Sequence, residues 1–525
     1  MRQAADEVQL DGNSLTLNQV SSVATVGTKV QLSAAARSRM ERTRDVVMRI
    51  VESGDVVYGV STGFGKLSEV AIPRERLAEL QVNLVRSHSA GVGPLLPEAE
   101  VRAMMLLRAN VLAKGYSGAR PELVDLIAGM LNAGVYPPIH EQGSVGASGD
   151  LAPLAALGLA LIGEGELFRG RIGTTPTGSG VADPTFSNGS GAPAGDVLAE
   201  HGLQPAKLEP KEGITLLNGT QAHTAVAALA VPAALRVWRA AHVAGAMSLE
   251  ALLGTPVAFD PRIHDARGQT GQSRSAALLR ALLAESELRE SHRHGDPRVQ
   301  DAYALRCMPQ VHGPVGDALD WIEQIVTREI NAATDNPLVF ENGETLSGGN
   351  FHGQAVAMAL DFLTIALTNL ATIAERRIDR LVHPDFNQGL PAFLSRDPGV
   401  HSGFMMAQVT AAALASECKV LSHPASVDTI PTDGSREDVV PMAMGAAWKA
   451  RRVLQNVRNV IAIELMCAAQ ALDYRSPLKP GLGVRRAHAT VRSIVPTLDG
   501  DRVLTPDIEA LSRAVADGLF ERREE

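Results

Sequence analysis

The segment Gly143-Ser144-Val145-Gly146-Ala147-Ser148-Gly149-Asp150, followed by an apolar run from Leu151 to Leu161, offers an electrophile built from the backbone itself. Attack of the Gly149 nitrogen on the Ala147 carbonyl, then loss of the Ser148 hydroxyl and α-proton as water, leaves an imidazolone ring with an exocyclic methylene. Such a group accepts amines or electron-rich rings. Glycine lets a backbone nitrogen approach closely, and Ala147 adds little bulk. Asp150 with Pro153 reads as a helix start, whose positive dipole end favours negative charge on the ring oxygen. On spacing alone, a plain Gly/Ser turn competes with this reading. A phosphate cradle competes less well, because a Walker loop requires Gly-Lys-Ser/Thr where Asp150 stands here. The second glycine-rich stretch, Gly59-Val60-Ser61-Thr62-Gly63-Phe64-Gly65-Lys66-Leu67, fails the same test at Phe64 and Leu67.

The elements that must position this segment are helical. Apolar and charged residues alternate at helical spacing over 34–52 and 74–88, with a glycine-rich loop from Tyr58 to Ser68 between them. Residues 95–132 read as helix broken at Lys114-Gly115-Tyr116-Ser117-Gly118. Asn218-Gly219-Thr220 opens a long Ala/Val/Leu segment to about Leu253, interrupted by Pro232, and further helices are expected from Met405 to Leu421 and from Met442 to about Leu472. Val356, Leu360, Leu363, Leu367, Leu370 and Ala374 recur at steps of four and three, which is core packing between bundled helices. Arg376, Arg377, Asp379 and Arg380 read as a solvated or inter-helix face. Strand signals are few and short, Val56-Val57-Tyr58 being one. The expected architecture is mostly α: an N-terminal globular lobe over 1–202, with a mobile Gly/Ser/Thr/Pro loop at 172–196, and an elongated helical bundle with a C-terminal tail over 203–525.

A chain of 525 residues can bury a large core. Its net charge of −9 (Lys+Arg 49, Asp+Glu 58) gives no support to nucleic-acid binding. Cys307, Cys418 and Cys467 lack CxxC spacing, which argues against a zinc ribbon or a disulfide framework. His292, Arg293 and His294 form a His-x-His pair without further nearby ligands, so no metal site is expected. The N-terminus lacks an apolar signal region, and the apolar runs read as shorter than a membrane span. A cytoplasmic protein that does not engage membranes is the expectation.

Several blocks in order resemble the aromatic amino acid lyase family over nearly the whole chain: Tyr58-Gly59-Val60-Ser61-Thr62-Gly63-Phe64-Gly65, the Ala147-Ser148-Gly149 segment through Leu154, Leu217-Asn218-Gly219-Thr220-Gln221, Val299 to Cys307, Thr334-Asp335-Asn336-Pro337-Leu338, Gly348 to Gly353, and Pro424-Ala425-Ser426-Val427-Asp428. The resemblance implies a 4-methylidene-imidazole-5-one (MIO) group formed from Ala147, Ser148 and Gly149, with Asp150 assisting ring formation. Tyr58 is the implied acid/base residue, and Tyr303 supports the same proton chemistry. Arg306 has the chemistry to clamp a substrate carboxylate through a bidentate pair. Asn218 would bond the ring carbonyl or the bound amine, and Gln300 and Phe351 match pocket-lining positions. The resemblance also implies a homotetramer with shared active sites.

Substrate choice turns on Ser87-His88, which resembles the histidine branch of the family rather than the Phe-Leu or His-Leu pairs of its phenylalanine and tyrosine branches. His88 and Glu417 would together hydrogen-bond an imidazole. The implied reaction is therefore loss of ammonia from L-histidine to give trans-urocanate. Tyrosine or phenylalanine lyases and aminomutases remain rivals, and a catalytically silent helical binding protein is the reading from another class. One departure weakens the histidine assignment: Glu437-Asp438-Val439-Val440 stands where the histidine branch commonly has Glu-Asp-His-Val.

Overall fold

Sequences rich in alanine and leucine and poor in aromatics favour helix, and helices carry most of the computed structural model, which describes residues 7–170 and 191–521. The expected segments are found as Ala34–Ser53, Leu77–His88, Glu98–Ala113, Pro121–Ala133, Met405–Leu421 and Ala443–Asp473. All six residues of the apolar seam lie in Gln354–Val382 and are buried. The helix Gln221–Ala251 runs straight through Pro232, where an interruption was expected. Val56-Val57-Tyr58 is not a strand: Val56 is exposed and a turn begins at Tyr58. Of the loop expected at 172–196, residues 172–190 lie outside the described residues. Its end is ordered differently, as the strand Ala192–Pro193 and the start of the helix Ala194–Glu200.

Two helices, Gln221–Ala251 and Gln354–Val382, are long and apolar enough to cross a membrane, which corrects the reading that every apolar run is too short. In each, 67% of the apolar window is buried inside the protein, as in the core helices of a folded domain.

Two compact units emerge, each assembled from three segments. The first comprises Met1–Pro232, Glu323–Asp361 and Pro424–Trp448; the second comprises Ala233–Ile322, Phe362–His423 and Lys449–Glu525. In the first unit Leu77–His88, Leu151–Leu161 and Glu212–Leu217 pack against one another. The antiparallel pair Val92–Leu95 with His140–Gln142 then ties the end of the first of these helices to the approach of Gly143. Strands are short, none longer than four residues among those described, and serve as clamps between helices.

In the second unit Leu482–Ile494 packs against both Thr270–Leu282 and Thr505–Ala516. Here Arg377, read from sequence as part of a charged face, is fully buried and donates to both carboxylate oxygens of Glu464 at 2.6 and 2.9 Å, while Ser248 also donates to Glu464. Arg376, by contrast, is exposed and pairs with Glu375. Two buried imidazoles, His242 and His312, meet edge to face with centroids 4.6 Å apart, and His242 Nδ1 donates to the Trp238 carbonyl.

Candidate active site

Gly149 adopts φ +69°, and a Cβ there would fall 2.0 Å from the Gly219 carbonyl oxygen. Only glycine fits that close approach. Next to it Asp150 N donates to Gly219 O at 2.7 Å, and Asn218 Nδ2 donates to the Ser148 carbonyl at 2.9 Å. Upstream, the carbonyls of Val145 and Gly146 accept from Ala443 N and Gly353 N, so the segment that follows Phe351 is laid directly on the motif. Ala147, Gly149 and Asp150 are buried, and Ser148 is half-buried.

Asp150 sits at the start of Leu151–Leu161 but makes no side-chain cap to it. Its carboxylate instead accepts from Ser144 Oγ at 2.7 Å and from the backbone N–H groups of Ala222 and His223 at 2.8 and 3.1 Å. Those amides are the open first turn of Gln221–Ala251, where a negative charge is favoured. The His223 ring lies 2.8 Å away as well. Burial pushes the Asp150 carboxyl up, but His223, Ser144 and the helix amides outweigh it, and the group is held below the usual carboxylate range.

Asn218 is itself fixed from behind by Arg108. This fully buried guanidinium donates to the Asn218 carbonyl at 2.8 Å, to Gln221 Oε1 at 2.7 Å and to the Thr215 carbonyl. Burial pulls its pKa down to about 10. Asn218 Oδ1 has no hydrogen-bond partner among the described residues, which leaves one buried acceptor free beside Ser148.

Tyr58 stands in a turn with its ring edge against Phe64 at 6.4 Å. Gly59, at φ +74°, lets the turn press on Pro337, where a Cβ would come within 2.8 Å, so the Thr334-to-Leu338 block acts as the floor of the tyrosine loop. Burial first, and then the charges of Asp433 and Glu437, hold the Tyr58 hydroxyl above its ordinary pKa. His88 ends the helix Leu77–His88 with Nδ1 at 3.0 Å from Ser87 Oγ; burial keeps its pKa low, against the pull of Asp433 and Glu437, and the ring is neutral.

One carboxylate links these groups to the motif and was not marked as functional in the sequence. Glu437 Oε1 lies 2.5 Å from Ser148 Oγ, and its field reaches both Tyr58 and His88. Arg108 was missed too, although an arginine within the mostly apolar stretch Ala103 to Ala113, where Asn110 is the one other polar residue, is itself a signal. Where the family pattern has a histidine, Val439 is exposed, and its carbonyl lies 3.0 Å from His352 Nε2.

The remaining expected residues fall in the second unit. Gln300, Tyr303 and Arg306 line one cavity of about 460 Å³ together with Arg298, Arg380 and Phe386. Arg306 stacks its guanidinium 4.7 Å from the centre of the Tyr303 ring, and Tyr303 is 71% exposed. Glu417 does not line that cavity. Arg452 and Asn456 donate to its carboxylate at 2.8 and 2.9 Å, and Arg452 holds its pKa low, so it is an anion and an acceptor. Among the described residues no cluster of three or more His, Cys, Asp or Glu side chains is arranged to hold a metal ion.

A mostly helical protein that locks an Ala-Ser-Gly triplet between an asparagine, an aspartate and a glycine-only contact defines a class, and comparison with known proteins agrees. The family model for aromatic amino acid lyases matches residues 15–493, and the chain belongs to that family. It is 55% identical over 514 residues to the histidine ammonia-lyase of Anaeromyxobacter dehalogenans, covering 98% of this chain and 99% of the relative. Among solved structures it resembles the histidine ammonia-lyase of Trypanosoma cruzi (43% identity, TM-score 0.88, 98% of this chain and 94% of that one). Tyrosine aminomutase from Streptomyces globisporus is similarly close (39% identity, TM-score 0.90, 98% and 97%). The fold alone therefore does not separate lyase from aminomutase.

Proposed function

We propose that the protein is a histidine ammonia-lyase, eliminating ammonia from L-histidine to give trans-urocanate with an MIO group made from Ala147, Ser148 and Gly149. The observation that carries this reading is the grip on the triplet: Asn218 donates to the Ser148 carbonyl, which would become the ring oxygen, while Gly149 is wedged against Gly219 in a conformation no other residue accepts. The residues present fit the group, and the free Asn218 Oδ1 adds an acceptor beside it. The full-length identity to histidine ammonia-lyases supports the choice of substrate.

The MIO group would supply an electrophilic methylene carbon, which turns the amine into a better leaving group. The chain's own side chains do the rest. Tyr58, kept protonated by burial and by two nearby carboxylates, becomes a correspondingly strong base for the β-proton once it ionises. Tyr303 supports that proton transfer, and Arg306 binds the substrate carboxylate bidentately. Neutral His88 and anionic Glu417 present complementary partners to an imidazole ring. Gln300 and Phe351 shape the pocket. The exposed Tyr303 fits a homotetramer in which several subunits complete each site. We place the enzyme in the cytoplasm.

The test is incubation of purified protein with histidine, tyrosine and phenylalanine separately, following the unsaturated acid in the ultraviolet and assaying for β-amino acids. Turnover of histidine to urocanate is expected. No turnover of histidine overturns the substrate, and a β-amino acid product establishes the aminomutase reading that the tyrosine aminomutase likeness keeps in play.

A further inference from the structure

Ring formation requires the Ser148 hydroxyl to leave, and hydroxide is a poor leaving group. The side chain that meets this hydroxyl is Glu437, with Oε1 2.5 Å from Ser148 Oγ. Its placement is fixed from two sides. Thr432 N donates to the Glu437 carbonyl at 2.9 Å, and the Thr432 hydroxyl bonds Oε2, which leaves Oε1 for Ser148. The neighbouring cation does not compete, because Arg436 turns away to Glu69 at 3.0 Å. Asp150, expected to assist ring formation, has its carboxylate occupied by Ser144 and the amides of Ala222 and His223. It positions the backbone and is not the group on the departing oxygen.

We propose that Glu437 is a catalytic residue of maturation, the acid that carries off the Ser148 hydroxyl as the prosthetic group forms; this rests on the reading that the group forms at all. In the first step Gly149 N bonds to the Ala147 carbonyl carbon. The carbonyl oxygen leaves as water with the hydrogens of the Gly149 and Ser148 nitrogens, and a C=N bond remains. In the second step the Ser148 Cα–H bond breaks, its electron pair forms the Cα=Cβ bond, and its proton passes by way of solvent to the Glu437 carboxylate, which accepts the Ser148 and Thr432 hydroxyls at rest. The Cβ–Oγ bond breaks with its pair on oxygen, Oγ takes the proton of the Glu437 carboxyl, and water departs. Glu437 is left as the carboxylate it was at the start. Two waters are lost in all, and no oxidant is needed.

The experiment is an intact-mass time course on full-length protein, for wild type, E437Q, E437A and E437D. Wild type should reach a deficit of two water masses. E437Q keeps a group that can bond Ser148 and Thr432 but has no proton to transfer; it should accumulate the species lacking one water and lose the second about 100-fold more slowly, the scale of general-acid assistance. E437D, which retains a carboxyl, should dehydrate faster than E437A, a difference that a purely structural role does not produce and that decides the matter even if E437Q is unstable. Full two-water loss in E437Q at the wild-type rate, or E437D no faster than E437A, overturns the proposal. Wild-type protein with no water deficit overturns the ring reading itself, and this proposal with it.

Discussion

The carboxylate of Asp150 accepts the backbone N–H of Ala222 at 2.8 Å, so a side chain at the edge of the Ala-Ser-Gly triplet closes the first turn of a helix 72 residues further along the chain. One buried anion thus fixes both the triplet and the start of the helix that follows Asn218.

Asp150→Asn should separate these two roles. The amide can still accept from Ala222, but it loses the charge that suits the helix terminus and the His223 ring, at a cost of about 1 to 3 kcal/mol. Thermal unfolding should shift down by a few degrees, and intact mass should show incomplete water loss. Unchanged melting together with complete loss of two waters counts against the assigned role.

His88→Leu places the residue of the aromatic branches where the neutral imidazole now stands. kcat/KM on histidine should fall about 10- to 100-fold, as expected when a hydrogen-bonding side chain is lost from a polar-substrate pocket. Parallel rates on tyrosine and phenylalanine distinguish altered preference from general damage.

Glu464→Gln breaks the fully buried pair with Arg377 while nearly conserving shape. A guanidinium left without its counter-charge should cost about 3 to 5 kcal/mol, read as a lower denaturation midpoint. Tyr303 and Arg306 belong to the same unit, so histidine turnover measured well below the midpoint shows whether the damage stays local.

Acid should weaken the second unit through its paired imidazoles. Burial, with Arg377 and Arg274 facing His242, holds that ring down to about 4 from its ordinary 6.5, and burial, His242 and Arg377 hold His312 well below 6.5. Both rings are neutral when folded and take up protons on unfolding, so their contribution is complete above 6.5 and is lost as pH falls from there through 4. Melting temperature measured between those limits should drop less steeply in His242→Gln than in wild type.

Much of this arrangement was legible in the sequence because helical periodicity is a local signal. Met405–Leu421 matches its expected bounds, and the seam from Val356 to Ala374 is buried throughout. Pro232 misled, because the helix Gln221–Ala251 continues through it in buried surroundings that outweigh the local break. Val56-Val57-Tyr58 misled in the opposite sense: β-branched residues preceded a turn that Gly59 makes possible against Pro337, 278 positions away in sequence. The triplet, the asparagine and both tyrosines could be named from their blocks. Arg108 and Glu437 could not, since the first serves backbone carbonyls near residue 218 and the second sits in a loop without periodicity, 289 residues from its serine. Sequence spacing does not encode such partnerships.

The contacts on the triplet and on Gly146 just before it reach Gly219, Glu437 and Gly353. A chain still emerging from the ribosome has made none of these partners while residue 149 is already exposed. Under the proposed chemistry, ring closure therefore follows assembly of the first unit, and the two missing waters become an indelible receipt of folding. Molecules that later unfold would still carry it, so mass could sort those that once folded from those that never did.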